Sequence, residues 1–338
     1  MRVFNESAAK TVALEGRTIA VAGYGNQGRP QALNLRESGC RVIVGAREGG
    51  AGASRAREDG FEVARLADAA RASDIFMMLL PDEVQGEVYR RDIRGALRPG
   101  AALSFAHGFS VAFGEIPREG FDLILVAPKG QGGRLREAYL AGTGLPCLVG
   151  VEHDVSGHAE GIALSLAAGL GCLRAGAYET SFREEAVSDL FGEQAVLCGG
   201  VPALVKRAFG VLVARGYRPE VAYFECVHEL EIIVELFTRL GFSGMRDVIS
   251  GTAAYGSLAF GEPLVGEDVE RKMERLFEGI ESGAFAKAWL EERRAGGGTL
   301  AALRAREREL LVEKVGRSVR ARMPDVPARR ANEEKKGT

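Results

Sequence analysis

RTIAVAGYGNQG, residues 17–28, decides how the first half of the chain is read. The strand-like run TIAVA leads directly into Gly23-Tyr24-Gly25-Asn26-Gln27-Gly28, and a helical pattern, QALNLRESG, follows. G-x-G-x-x-G carries meaning in this setting, between a strand and a helix. The first glycine permits the tight turn, the second lets backbone approach a pyrophosphate, and the third allows close helix–strand packing. The helix N-terminus adds free N–H groups and the positive end of its dipole. The stretch predicts a Rossmann-type dinucleotide site that uses Gly23, Tyr24, Gly25, Asn26, Gln27 and Gly28.

Beyond this loop, CRVIVGA, DIFMMLL, AALSFAHG, DLILVAP and LPCLVGV are short, apolar and bounded by Gly, Pro or charge. Parallel strands buried on both faces read this way. GCLRAGAYETSF adds a further strand near 172–178. From about residue 182 only the helical period remains, in VPALVKRAFGVLVARG, PEVAYFECVHELEIIVELFTRLG, EDVERKMERLFEGIES and GTLAALRARERELLVEKVGRSVRARM. The expected division is an α/β domain over 1–181, an all-α domain over 182–324 and a disordered tail over 325–338.

A chain of 338 residues can hold two such cores. Its formal net charge of -2 leaves no global basic field for nucleic acid. RRDIRGALR and ARRANEEKKGT read as solvated surface or tail. No apolar run is read as reaching the roughly 18 residues of a membrane span. MRVFNESAAK lacks a signal-peptide core, so a cytoplasmic protein is expected. Cys40, Cys147, Cys172, Cys198 and Cys226 form no C-x-x-C and sit in apolar segments, as buried free thiols of a reducing compartment do.

The second strand should end beside the adenosine ribose. An NAD site places an acid there; this chain has Arg47, whose guanidinium favours the 2′-phosphate of NADP. Arg55 and Arg57 follow on the next helix and are expected at the surface. The third strand ends in LPDEVQ, so Asp82, Glu83, Val84 and Gln85 should pass near the nicotinamide ribose. A hydride-transfer cofactor is implied, NADPH first and NADH as the alternative.

The helical half holds two carboxylate pairs at i,i+4 spacing, Asp189/Glu193 in DLFGEQAVLCGG and Glu225/Glu229 in YFECVHELEIIVEL. In an α-helix each pair points its acids in one direction. Stacked like charges beside Leu190, Phe191, Phe224 and Val227 resist burial unless a cation or a shared proton compensates. Spacing alone leaves two readings: solvated helix faces, or two facing helices that form an oxygen cage for Mg²⁺. His107, at a carboxyl end of the sheet, reads as a site residue or as a strand-end histidine bonded to backbone. Lys129 taken singly reads as a surface lysine. His153, His158 and His228 read as structural or surface residues, with an orienting role for His228 as the alternative. Glu184 and Glu185 are expected to be exposed.

GYGNQG, LPDEVQ, FAHGF, VAPKG, ETSFREEAVSDLFGEQAVLCGG, GYRPEVAYFECVHEL and MRDVIS together resemble ketol-acid reductoisomerase in its short, class I form, over about residues 14–322. DLFGEQ followed by FECVHE is the most specific part. The resemblance implies a two-step reaction in valine and isoleucine biosynthesis. Mg²⁺ chelates the 2-hydroxy and 2-keto oxygens of 2-acetolactate or 2-aceto-2-hydroxybutyrate and promotes an alkyl shift; NADPH then reduces the product to a 2,3-dihydroxy acid. It implies that Asp189 and Glu193 form the first ligand pair for two Mg²⁺ ions, with Asp189 bridging them. Glu225 and Glu229 would come from the other subunit of a homodimer with a shared active site, whose helical domain is knotted. Ser250 matches the residue that binds the substrate carboxylate. His107, Lys129 and Glu229 match catalytic groups, and Gly50, Gly52 and Gly132 lie in the cofactor segments.

The pattern departs from the family near the site. Gly50 and Gly52 stand where two serines commonly bind the 2′-phosphate. Ala112 replaces a second histidine, Gln131 and Gly133 replace proline and histidine, and Gly251 and Ala254 replace polar residues. Smaller residues enlarge or de-polarise the pocket wall. Two further readings follow: a diverged paralogue that acts on another 2-hydroxy-keto acid, and an inert cofactor-binding regulatory protein.

Overall fold

Alternation within the apolar runs creates the two faces of one sheet. In the computed structural model, which describes residues 1–8 and 14–323, the strands are β1 (Val3–Phe4), β2 (Thr18–Ala22), β3 (Arg41–Gly45), β4 (Glu62–Ala64), β5 (Ile75–Met78), β6 (Ala102–Phe105), β7 (Asp122–Pro128), β8 (Cys147–His153) and β9 (Ala177–Glu179). Ile19, Val21, Ile75, Met77, Ile124 and Val126 pack into a core on one face. Their immediate neighbours Ala20, Ala22, Phe76, Met78, Leu123 and Leu125 pack on the other. Side chains alternate faces along a strand, so a strand covered on both sides must be apolar at every position. The expected 325–338 tail lies outside the described residues.

The sheet order is β1-β9-β8-β7-β6-β5-β2-β3-β4. From β4 to β7 all neighbours are parallel. The chain runs outward from β2 through β3 to β4, then returns to β5 on the other side of β2. That reversal is the topological switch point at which open α/β sheets bind ligands, and the GYGNQG loop leaves β2 there.

Two details differ from the sequence reading. β8 runs antiparallel to β7, and β9 pairs parallel to β8. Apolar content reports burial and not strand direction, so the parallel expectation failed at β8. The strand expected near 172–178 is only β9, because Cys172–Arg174 forms a 3-10 turn.

The chain divides into two compact units at Ser188/Asp189, inside the helix Phe182–Phe191. From Phe182 on, every described element is helical. The expected long helices are interrupted. The segment from Pro219 splits into Pro219–Tyr223, a π-helix Phe224–His228 and Leu230–Val248, and the last is broken at Gly241 with φ 73°. Helices Gly251–Leu264 and Ala284–Arg294 add to those expected. The second unit has a small core of Phe209, Ala222, Tyr223, Val312 and Val319.

Contrary to expectation, one stretch is long and apolar enough to cross a membrane by length and composition. Phe182–Ala214 contains an 18-residue window of mean hydropathy 1.7, of which 6% is buried in this chain. The stretch joins Phe182–Phe191, the π-helix Gly192–Leu197 and the helix Gly200–Ala214. Lys206 within it pairs with Glu307 at 2.7 Å. A charge at the centre of a bilayer costs at least about 2.5 kcal/mol.

Gly132 shows how tightly the loops of the first unit meet. It opens the helix Gly132–Leu140, and a Cβ there would lie 1.7 Å from the Asn26 carbonyl oxygen. Gly133 has open space around it. Gly132→Ala is expected to lower stability by about 2 kcal/mol through overpacking, while Gly133→Ala should change it by less than about 0.5 kcal/mol or stabilise slightly. Urea midpoints of the two variants check this.

Candidate active site

The glycine loop is shaped by contacts that exclude side chains. Gly23 has φ 91°, and a Cβ on it would sit 2.9 Å from the Leu79 carbonyl oxygen at the end of β5. A Cβ on Gly28 would lie 2.1 Å from the Gly23 oxygen. Gly25 and Asn26 face solvent. The Gln27 amide donates to the Gly130 carbonyl at 3.1 Å and ties this loop to the one after β7. Tyr24 contributes only its backbone to the loop surface. Its ring is buried against Phe61, and its hydroxyl donates to Asp59 at 2.7 Å. Burial, aided by that bond, holds the phenol proton on.

Arg47 stands exposed just beyond β3, and its carbonyl accepts from the Gly50 N–H at 3.1 Å. Gly50 caps the helix Ala51–Glu58 with an ordinary φ of -78°. A Cβ on Gly52 would make only normal contact, 3.5 Å from the Tyr24 Cβ. Neither the backbone nor packing at Gly52 demands glycine there. Arg55 and Arg57 are exposed on that helix, as expected.

Glu185 is the residue that sequence reasoning misplaced. It is not exposed but 1% accessible, and both carboxylate oxygens are used. Oε2 accepts from the Gly108 N–H at 2.7 Å and Oε1 from the Lys129 ammonium at 2.8 Å. Removal of a carboxylate from water is tolerated only with such charge-assisted partners. Gly108 permits the approach, because a Cβ there would lie 2.3 Å from the Phe182 carbonyl oxygen. Lys129 is therefore an oriented cation, 34% exposed, and not a loose surface lysine. The available signal was spacing: Glu185 lies one α-turn before Asp189, on the same helix face. Glu184 is exposed, as expected, and its carboxylate accepts from the Thr180 hydroxyl at 2.9 Å.

His107 follows β6, and its Nδ1 lies 2.8 Å from Asp82 Oδ2. His107, Glu185 and Asp189 bring one ligand atom each within 4.8 Å of one another, both acids being carried on the helix Phe182–Phe191. Two carboxylates and an imidazole suit a divalent cation. Of the two acids, Glu185 is neutralised by Lys129.

The two acid pairs do not stack as an α-helix would stack them. Phe182–Phe191 runs into a π-helix, Gly192–Leu197, in which the Glu193 carbonyl accepts from the N–H groups of Cys198 and Gly199 at 2.7 and 3.0 Å. The second pair spans the π-helix Phe224–His228, closed by Glu229 N–H donating to the Phe224 carbonyl at 3.1 Å. With five-residue bonding a four-residue step falls short of a full turn, whereas in an α-helix it overshoots one. Asp189 is half-buried; Glu193, Glu225 and Glu229 are exposed. Among the described residues, no cluster of three or more ligands gathers Glu225 and Glu229 with the first pair. The single-chain cage is thus not formed.

Ser250 is exposed and caps the helix Gly251–Leu264, its hydroxyl accepting from Ala253 N–H at 3.2 Å. His228 packs edge-on against Phe224, and His153 Nδ1 lies 3.2 Å from the Phe121 carbonyl. Cys147 and Cys172 are buried free thiols, but Cys198, past the π-turn, is exposed.

A family model described as acetohydroxy acid isomeroreductase, NADPH-binding domain, matches residues 13–176, and one described as ketol-acid reductoisomerase, C-terminal domain, matches 182–325. A solved NADH-preferring ketol-acid reductoisomerase from an uncultured archaeon is 42% identical and has a TM-score of 0.93. The match covers 96% of this chain and all of that one. A putative oxidoreductase from Jannaschia sp. CCS1, 15% identical over 79% of this chain and 97% of its own, has a TM-score of 0.59. A semialdehyde dehydrogenase NAD-binding protein from Cupriavidus necator, 17% identical over 77% and 99%, has a TM-score of 0.55. The last two share the fold alone. With both halves matched in order, the chain belongs to the ketol-acid reductoisomerase family and is an NAD(P)-dependent oxidoreductase and isomerase.

Proposed function

We propose that the protein converts 2-acetolactate and 2-aceto-2-hydroxybutyrate to 2,3-dihydroxy acids with Mg²⁺ and NADPH, in valine and isoleucine biosynthesis. The meeting of His107, Glu185 and Asp189, with Lys129 locked onto Glu185, carries this reading. The donor set fits a hard divalent cation held by Asp189 and Glu193, completed by Glu225 and Glu229 from a second copy of the chain. Magnesium bound there would supply Lewis acidity toward the substrate's two oxygens.

The chain's own groups do the rest. The loop Gly23–Gly28 and the helix it opens hold the pyrophosphate, and the end of β5 flanks the nicotinamide side of the crevice. Ser250 and its helix N-terminus suit a carboxylate, which orients the substrate. Lys129 places an ammonium beside the reacting oxygens, where it stabilises developing negative charge and can return a proton. Glu185 fixes that ammonium in place. Glu229, exposed on its own chain, is available to a neighbouring site.

A shared site also accounts for the apolar surface of the second unit. Leu197, Phe242, Tyr255, Phe260 and Leu264 are each at least 67% exposed, more large apolar surface than a monomer usually shows. A second copy would cover such faces, including the apolar stretch Phe182–Ala214.

Turnover of 2-acetolactate with NADPH and Mg²⁺ tests the reading. Asp189→Asn should reduce kcat by about a thousandfold or more, the scale of several kcal/mol of Lewis-acid stabilisation. A wild-type protein that binds NADPH yet does not turn over acetolactate, whatever the Mg²⁺ concentration, would point to the diverged paralogue.

Subunit mixing tests the sharing. Asp189→Asn and Glu229→Gln are each expected to be nearly inactive. Random exchange between them should restore about a quarter of wild-type activity, because half the dimers are mixed and each carries one intact site. Proven exchange with no recovery would rule sharing out.

Cofactor preference rests on Arg47. Arg47→Asp should lower kcat/KM for NADPH by more than about tenfold, the loss of a charge-assisted phosphate contact. It should leave kcat/KM for NADH unchanged or higher. A parallel fall with both cofactors would show that Arg47 does not read the 2′-phosphate.

A further inference from the structure

Asp59, at the end of the helix Ala51–Glu58, reaches both flanks of the glycine loop. Its Oδ2 accepts from the Tyr24 hydroxyl at 2.7 Å, just before Gly25, and from Arg29 Nε at 2.7 Å, just after Gly28. Arg29 Nη2 donates to Oδ1 at 3.1 Å. The acid is itself held from behind. Its backbone carbonyl accepts from Arg36 Nη1 at 2.6 Å, and the Arg36 guanidinium lies 4.1 Å from the centroid of the Phe61 ring. Phe61 in turn meets the Tyr24 ring edge-on at 5.7 Å. Its hydrogen bond from Arg29 holds the Asp59 carboxyl below the usual carboxylate range, so at neutral pH it only accepts.

One carboxylate therefore grips the chain on either side of residues 25–28, the backbone that faces the pyrophosphate in a site of this kind. A glycine-rich loop needs such a grip. Glycine has more conformational freedom than any other residue, and outside its chain neighbours no heavy atom lies within 4 Å of where a Gly25 Cβ would be. A loop that wanders must be ordered when its ligand arrives, and that ordering weakens binding. A loop already fixed in shape avoids this. The effect falls on affinity and not on the chemistry of the bound complex. Arg29 and Asp59 are 44% and 20% exposed, so their ion pair adds little to global stability.

We propose that Asp59 is a positioning residue for cofactor binding: it tethers Tyr24 and Arg29, the two flanks of the glycine loop, and keeps Gly25–Gly28 in the shape that receives a dinucleotide pyrophosphate. The tether serves NADPH and NADH alike, because both carry that pyrophosphate. This role rests on the glycine loop as the dinucleotide site and not on the identity of the substrate.

Titration of the whole protein with NADPH and with NADH, followed by nicotinamide fluorescence, reads the tether without substrate. Asp59→Ala should raise both dissociation constants by about tenfold, the scale of losing hydrogen bonds to a charged group. Tyr24→Phe removes one bond and leaves every charge in place, which separates tethering from electrostatics; it should raise both by about threefold. The double variant should bind no more weakly than Asp59→Ala, since the two changes break the same contact. In steady state, Asp59→Ala should raise KM for NADPH and leave kcat at saturating cofactor unchanged. A merely structural role would lower the urea midpoint without moving either dissociation constant. Tyr24→Phe serves if Asp59→Ala does not fold. Dissociation constants unchanged or lowered in the folded variants, or a rise confined to NADPH, would overturn the proposal. Because binding is read without substrate, failure of acetolactate turnover would refute the functional reading and not this one.

Discussion

Glu185 carries a charge where water scarcely reaches, and the arrangement of the catalytic end of the sheet follows from how that charge is satisfied. Its two oxygens take a backbone N–H from the turn after β6 and an ammonium from the turn after β7. A carboxylate in this position would otherwise be strongly disfavoured. The pair therefore fixes three segments at once: the His107 turn, the Lys129 turn and the helix Phe182–Phe191. Asp189 is placed by that helix, one turn further along. The position of Asp189 thus depends on an acid whose own two oxygens are already taken.

Much of this was legible in the sequence, for physical reasons that differ by segment. TIAVA and its companions read as buried on both faces because apolar side chains fill nearly every position, with polar ones such as Thr18 and Asp122 mostly at the strand ends. The glycine loop announced itself because Gly23 and Gly28 meet a carbonyl oxygen where a Cβ would intrude. Strand direction at β8 was not legible, since apolar runs look alike in either sense. Glu185 was missed because a helix-start acid normally lies in solvent; only its distance of one turn from Asp189, and a lysine beyond Pro128 with no nearby acid, hinted otherwise.

The π turns were invisible for a related reason. Hydrophobic periodicity cannot distinguish an α-helix from one with a single widened turn, and both acid pairs straddle such turns. The i,i+4 argument therefore assumed a geometry the chain does not use. π turns recur at functional sites because they cost hydrogen-bond quality that an unconstrained helix would not give up. They coincide with both pairs, in which Glu193, Glu225 and Glu229 are exposed and Asp189 is half-buried.

The turn after β3 carries a different implication. Gly50 sits at an ordinary φ, and Gly52 has room for a side chain against Tyr24. Where glycine is forced by the backbone, change is expensive and lineages keep it. Here the scaffold sets no such condition at Gly52, so a side chain can be placed or removed at this surface turn without a packing penalty. The chemistry of that turn is in this sense a property of the surface, separable from the heritage of the core.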